Sequence, residues 1–128
     1  MTPLETVMAF MRAMEKKEYD KGLQHVADDL VYINSPDTRV TGPEGVRAVL
    51  EPFFDPIEEN DFIIHRAVAQ DNRVVLERLD RHRIPQGWFE LPVTGVFEVN
   101  DGKITYWRDY FDMATITDAM QKLMGGAQ

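Results

Sequence analysis

Apolar residues recur every three or four positions in the first part of the chain and every two positions in its second half. Leu4, Val7, Met8, Met11 and Met14 fall on one helical face, with Glu5, Arg12, Glu15 and Lys16 on the other, which predicts an amphipathic helix to about Lys17. Thr2 supplies its N-cap and Pro3 its first helical position, where the missing N–H is no loss. Asp20 is placed to cap a short second helix running through Val26, and a brief strand follows from Leu30 to Asn34. Ser35-Pro36-Asp37 reads as a turn, and Pro43 sits near the start of a third helix that runs to about Phe54. Past Pro56 the period becomes alternating, which predicts strands at about Asp61–Gln70, Arg73–Arg83, Trp88–Val99 and Lys103–Phe111. Their connections, Asp71-Asn72, Pro85-Gln86-Gly87 and Asn100-Asp101-Gly102, carry turn chemistry. Met113 to Met124 reads as a last helix, and Gly125 to Gln128 as a frayed tail. Helices first and a meander of strands afterwards predict the α+β class, a curved sheet with helices packed on one face.

Composition narrows the picture. A chain of 128 residues with no repeat, low-complexity tract or linker reads as one domain over 1–128, and it buries roughly two-thirds of the surface its unfolded form exposes. With 44% hydrophobic and 28% charged residues, a packed core is expected. The formal net charge of −8 would repel phosphate backbones and anionic lipid, so nucleic acid and membrane surfaces are poor partners. The absence of cysteine removes disulfides, thiol nucleophiles and thiolate metal sites. The N-terminus has no basic leader, Arg12 interrupts its best apolar stretch, and no run approaches the roughly 18 apolar residues of a membrane span. A cytoplasmic protein is expected.

The informative signal is where polar residues interrupt apolar rows. Side chains at i, i+2 and i+4 share one face of a strand. Val74, Leu76, Arg78, Asp80 and His82 therefore form one row, which begins apolar and ends charged. Trp107, Asp109 and Phe111 set a carboxylate between aromatic rings, Leu30, Tyr32 and Asn34 run from apolar to polar, and Phe89, Leu91, Val93 and Phe97 are purely apolar apart from Gly95. Burying Asp or Arg without partners costs several kcal/mol, so these groups must meet one another or line a cavity. An apolar pocket with a few converging polar groups is the usual form of a small-molecule site. The same residues also fit a structural ion-pair cluster, and the pattern alone leaves both readings open. His25, His65 and His82 match no ligand spacing, so no metal is expected, and no nucleophile elbow, phosphate loop or dinucleotide fingerprint occurs.

Taken together and in order, Tyr32-Ile-Asn34, Arg78-Leu-Asp80, Gly95-Val-Phe-Glu-Val and the run Asp101-Gly-Lys-Ile-Thr-Tyr-Trp-Arg-Asp109-Tyr-Phe-Asp112 resemble the limonene-1,2-epoxide hydrolase family. The resemblance extends from about Leu4 to Ile116. It implies the cone-shaped α+β fold, cystatin-like or nuclear-transport-factor-like, with a curved mixed sheet, N-terminal helices on its concave face, and usually a homodimer. It also implies hydrolysis of a small apolar epoxide, terpenoid or cyclic, to a vicinal diol without a cofactor. Carried over residue by residue, Asp109 would be the general base, with Tyr32 and Asn34 helping it hold a water. Asp80 would be the general acid and Arg78 would bridge the two aspartates. An epoxide is a mediocre electrophile with a poor leaving group, so base and acid must act together, each worth about 10²–10⁴ in rate. Two nearby carboxylates in a dry pocket can share one proton, so the dyad is expected to titrate as a unit.

Met11, Met14, Leu91, Val93, Trp107 and Phe111 are the expected pocket walls. Two features depart from the family's pattern. His82 stands where an apolar wall is expected, narrowing the site or making it more polar, and the turn at Pro85-Gln86-Gly87 is short. Both bear on the choice of epoxide rather than on the chemistry. On the sheet's other face Leu79, Arg81, Tyr106, Arg108 and Tyr110 have an interface-like composition, which predicts a homodimer through that face. Two other classes stay in view: another acid–base enzyme of the same fold, such as an isomerase or polyketide cyclase, and a non-catalytic ligand-binding or dimerisation module.

Overall fold

The computed structural model describes residues 1–34 and 38–125. The predicted turn at Ser35-Pro36-Asp37 and the tail beyond Gly125 lie outside the described residues. Helix α1 (Pro3–Glu15) begins in a full capping box: the Thr2 hydroxyl accepts from the Glu5 N–H, and the Glu5 carboxylate accepts from the Thr2 N–H. It ends where Lys17 turns left-handed at φ 60°, with Glu18 N–H donating to the Ala13 carbonyl and Lys17 N–H to that of Met14, the Schellman pattern. Helix α2 (Tyr19–Leu23) is shorter than the sequence predicts. Glu18 precedes it, Asp20 lies inside its first turn and pairs with Arg47 at 2.7 Å, and Val26 belongs to the next strand.

That strand, β1 (Val26–Asn34), starts four residues earlier than Leu30. Strand β2 (Thr38–Thr41) is an unpredicted hairpin partner of β1, and helix α3 (Gly42–Phe54) follows directly. Strands β3 (Glu59–Gln70), β4 (Arg73–Ile84), β5 (Gly87–Asn100) and β6 (Lys103–Tyr110) form the meander, and helix α4 (Met113–Met124) closes the fold. Asp101 and Gly102 both take positive φ, 53° and 75°, which suits the two-residue hairpin turn between β5 and β6.

The six strands form one mixed sheet in the order β2-β1-β6-β5-β4-β3, antiparallel except where β1 runs parallel to β6. Helix α1 crosses the inner face over β3 to β6, α3 packs on β1, and α4 on β5. The core lies in this concavity. Trp107 is its hub, stacked on Tyr32 (centroids 3.8 Å apart, planes 7° apart) and on Phe97 (5.7 Å, 12°), with Phe10 edge-on at 5.2 Å. Each such ring pair adds about 0.5–1.5 kcal/mol beyond the area it buries. Among the described residues no helix is long and apolar enough to cross a membrane.

Candidate active site

The register of the sheet brings the interrupted rows together. Asn34 pairs with Asp109 and Tyr32 with Trp107 across the parallel β1–β6 ladder, while Gly95 of β5 lies beside Asp109 on one side and Leu76 on the other. Arg78 reaches across the gap that Gly95 leaves. Its Nε and Nη2 donate to Asp80 Oδ1 and Oδ2 at 2.8 and 3.2 Å. Its Nη1 and Nη2 donate to Asp109 Oδ1 and Oδ2 at 3.1 and 2.6 Å. One guanidinium thus forks onto two carboxylates, the planar bidentate geometry that Arg provides and Lys does not. All three residues are buried.

Gly95 is part of this arrangement. A Cβ there would stand 2.6 Å from Arg78 Nη1 and 2.9 Å from Asp109 Oδ1, so only glycine leaves the pair its room. Trp107 adds a further donor, Nε1 to Asp109 Oδ1 at 2.7 Å. Among the described residues Asp109 therefore receives three hydrogen bonds and Asp80 two. Burial nevertheless pushes the Asp109 carboxyl above the ordinary aspartate value, against the pull of Arg78 and Trp107. Burial works against the charge on Arg78, but Asp109 and Asp80 outweigh it and hold the guanidinium firmly charged. The Tyr32 phenol is raised well above its usual value by burial and by the nearby Asp109 charge, so it stays a neutral hydroxyl.

These groups open onto a cavity of about 260 Å³, just under the roughly 300–1,000 Å³ usual for ligand pockets. That volume suits a small molecule. Tyr32, Asn34, Arg78, Asp80 and Asp109 all line it, as do Met11, Met14, Leu91, Val93, Trp107, Phe111 and His82. Helix α3 contributes Val49, Leu50, Phe53 and Phe54, helix α4 contributes Ile116 and Met113, and Phe62 comes from β3. None of these seven stands out in the sequence, because which helix face meets the cavity depends on how α3 and α4 dock. Asn60 was missed as well: it lies beside His82 across the β3–β4 ladder, and its Oδ1 faces His82 Nδ1 at 2.7 Å. Among the described residues no group of three or more His, Asp or Glu side chains is arranged to hold a metal ion.

A buried Asp–Arg–Asp bridge at the floor of an apolar cavity, inside a cone of helices and curved sheet, is the layout of a small-molecule site. Comparison with known proteins narrows this to a family. Residues 1–122 match the model of the limonene-1,2-epoxide hydrolase catalytic domain, and the chain belongs to that family. Epoxide hydrolase EphG of Mycobacterium tuberculosis is 36% identical over 107 residues, covering 84% of this chain and 71% of the relative. A solved LEH-like epoxide hydrolase from M. tuberculosis superposes with a TM-score of 0.83 at 31% identity, over 98% of this chain and 93% of that one. A SnoaL-like polyketide cyclase fold from Shewanella denitrificans reaches a TM-score of 0.85 over 94% of this chain and 97% of its own, at 18% identity, a likeness of fold alone.

Proposed function

We propose that the chain hydrolyses a small, largely apolar epoxide to a vicinal diol in one step, with water as the nucleophile and no cofactor. The observation that carries this reading is Arg78 clamped between Asp80 and Asp109 on the cavity floor. An isomerase or cyclase needs one carboxylate and has no use for a guanidinium shared by two. The roles follow from asymmetry. Asn34 lies beside Asp109 and Tyr32 beside Trp107 across the β1–β6 ladder, so the two water-holding groups stand with Asp109 and away from Asp80 on β4. Asp109 is therefore assigned the base and Asp80, on the far side of Arg78, the acid. Asp109 Oδ2, with one protein donor, keeps lone pairs for a water. The Tyr32 hydroxyl and the Asn34 amide, on the neighbouring strand, have no hydrogen-bond partner among the described residues and complete the water's shell.

In the proposed step the water oxygen bonds to one oxirane carbon as that carbon's bond to the ring oxygen breaks. The water's proton passes to Asp109 and the proton of Asp80 to the departing oxygen, so charge moves along the row and none is left unpaired. Burial that raises Asp109 also makes it a stronger base. Arg78 compensates whichever carboxylate is charged, and exchange of one proton between the aspartates restores the site. The test is turnover of a panel including limonene-1,2-epoxide and cyclohexene oxide by wild type, Asp80→Asn and Asp109→Asn. Each substitution is expected to lower kcat by about 10²–10⁴ in folded protein. Diol formation within threefold of wild type in either variant would remove that residue from the mechanism.

The homodimer expectation is likewise proposed, through the outer sheet face where Leu79, Arg81, Tyr106 and Arg108 are half-buried and Tyr110 is exposed. Native mass spectrometry at micromolar protein is expected to show dimers; monomer alone would contradict it.

A further inference from the structure

His82 is a polar atom set into an otherwise apolar end of the cavity. Phe53 and Phe62 meet its ring edge-on, at 5.3 and 6.1 Å, and Phe89 and Phe54 lie tilted against it at 5.0 and 6.2 Å. Asn60 fixes its tautomer. The Asn60 amide nitrogen points to the Glu15 carbonyl at 3.4 Å, which leaves its oxygen to accept from His82 Nδ1 at 2.7 Å. Burial, reinforced by the charge of Arg78, holds the imidazole neutral by lowering it to about 4. A neutral ring with its proton on Nδ1 presents a bare lone pair at Nε2. That nitrogen has no partner among the described residues, and none of their buried side-chain nitrogens or oxygens is both sealed from solvent and unpaired. The small part of His82 that stays open, 2% of the residue, therefore faces the cavity it lines.

We propose that His82 sets substrate choice, its Nε2 accepting a hydrogen bond from a hydroxyl carried on the epoxide at the end remote from the oxirane. The proposal rests on the epoxide-hydrolase reading and names its substrate class: a hydroxylated rather than a purely hydrocarbon epoxide. Asp80 and His82 are two residues apart on β4, so the two contact points lie about 7 Å apart along the strand. A six-membered cyclic epoxide with a hydroxymethyl group across the ring spans that distance. His82 would be a specificity residue, touching neither the oxirane nor the attacking water.

The test compares 4-(hydroxymethyl)cyclohexene oxide with 4-ethylcyclohexene oxide, which has the same shape and no donor. Replacing His82 by Phe is expected to lower the ratio of their kcat/KM values about five- to tenfold, the worth of one neutral hydrogen bond. The change should lie in KM for the alcohol, while His82→Gln, which keeps an acceptor, should retain most of the wild-type ratio. A merely structural histidine would alter both substrates alike and leave the ratio unmoved, which would overturn the proposal. Binding to wild type, read from the ¹⁵N resonance of His82 Nε2, separates this from the reaction itself. Cyclohexylmethanol should move that resonance and ethylcyclohexane should not, even if neither epoxide is hydrolysed. An Nε2 signal indifferent to the alcohol would refute the subsite whatever the enzyme's activity.

Discussion

Substituting Gly95 by Ala adds one methyl group at the most crowded point of the site. Gly95 is not among the residues with positive φ, so alanine meets no backbone penalty and its whole effect is steric. The new Cβ would lie 2.6 Å from Arg78 Nη1, 2.9 Å from Asp109 Oδ1 and 3.0 Å from Phe97 Cε1. The first two atoms are hydrogen-bonded to each other at 3.1 Å, so the methyl is wedged into the bond that ties Asp109 to the guanidinium. Neither group has slack, because Arg78 is held by Asp80 and Asp109 by Trp107. Overpacking of this kind costs about 1–3 kcal/mol, which for a chain of this size lowers Tm by roughly 3–15 °C. Displacing Asp109, the proposed base, by about an ångström is expected to lower kcat/KM about 10²-fold. Thermal unfolding and initial rates on cyclohexene oxide read the two effects. Gly102→Ala is the control: nothing lies within 4 Å of its Cβ, but φ is 75°, so it should cost about 1 kcal/mol of strain and leave kcat unchanged. A Gly95→Ala enzyme with wild-type Tm, or one impaired no more than Gly102→Ala, would refute the account of the bridge.

Three further outcomes follow from the site's electrostatics. His82 titrates near 4 when folded and near 6.5 when unfolded, so its neutral burial contributes stability above pH 6.5 that is lost as pH falls towards 4. Urea unfolding should show wild type losing on the order of 3 kcal/mol more than His82→Phe between pH 7 and 4; equal losses would mean the imidazole is not held neutral. Arg78→Met strands two buried carboxylates and should destabilise by about 3–5 kcal/mol at pH 7.5, with a smaller deficit at pH 5 as Asp109, raised by burial and freed of Arg78, takes up a proton; a deficit that does not change with pH would contradict this. Trp107→Phe keeps the ring stack but removes the Nε1 donor that lowers Asp109, so the acidic limb of the kcat/KM profile should move to higher pH. An unmoved limb would reduce Trp107 to a wall.

Much of the site is legible in the chain because strand alternation is simple. The row Val74, Leu76, Arg78, Asp80, His82 is buried at every position, and finding charges at its end required only a period of two. The turn residues of the last hairpin, Asp101-Gly102, were equally plain. What escaped depends on contacts distant in sequence. Strand β2, Thr38–Thr41, has one half-buried residue and no apolar row, and it exists because β1 offers it an edge. The early part of β1 contains exposed Asp28 and Asp29 and a register shift between Val26 and Val31, so it reads as loop. Phe10 falls outside the predicted stripe of α1 yet is fully buried against Trp107. Asn60 carries no signal of its own, since its importance arises only when β3 sets it beside His82.

In the proposed reaction water itself attacks the epoxide while Asp109 takes its proton. A single turnover of cyclohexene oxide in ¹⁸O-labelled water, with enzyme in excess, tests it most directly. Direct attack puts the label into the diol in that first turnover, with full incorporation. A first-turnover diol carrying unlabelled oxygen from the protein, with label appearing in an aspartate, would mean that a carboxylate attacks the ring and that the roles assigned to Asp80 and Asp109 are wrong.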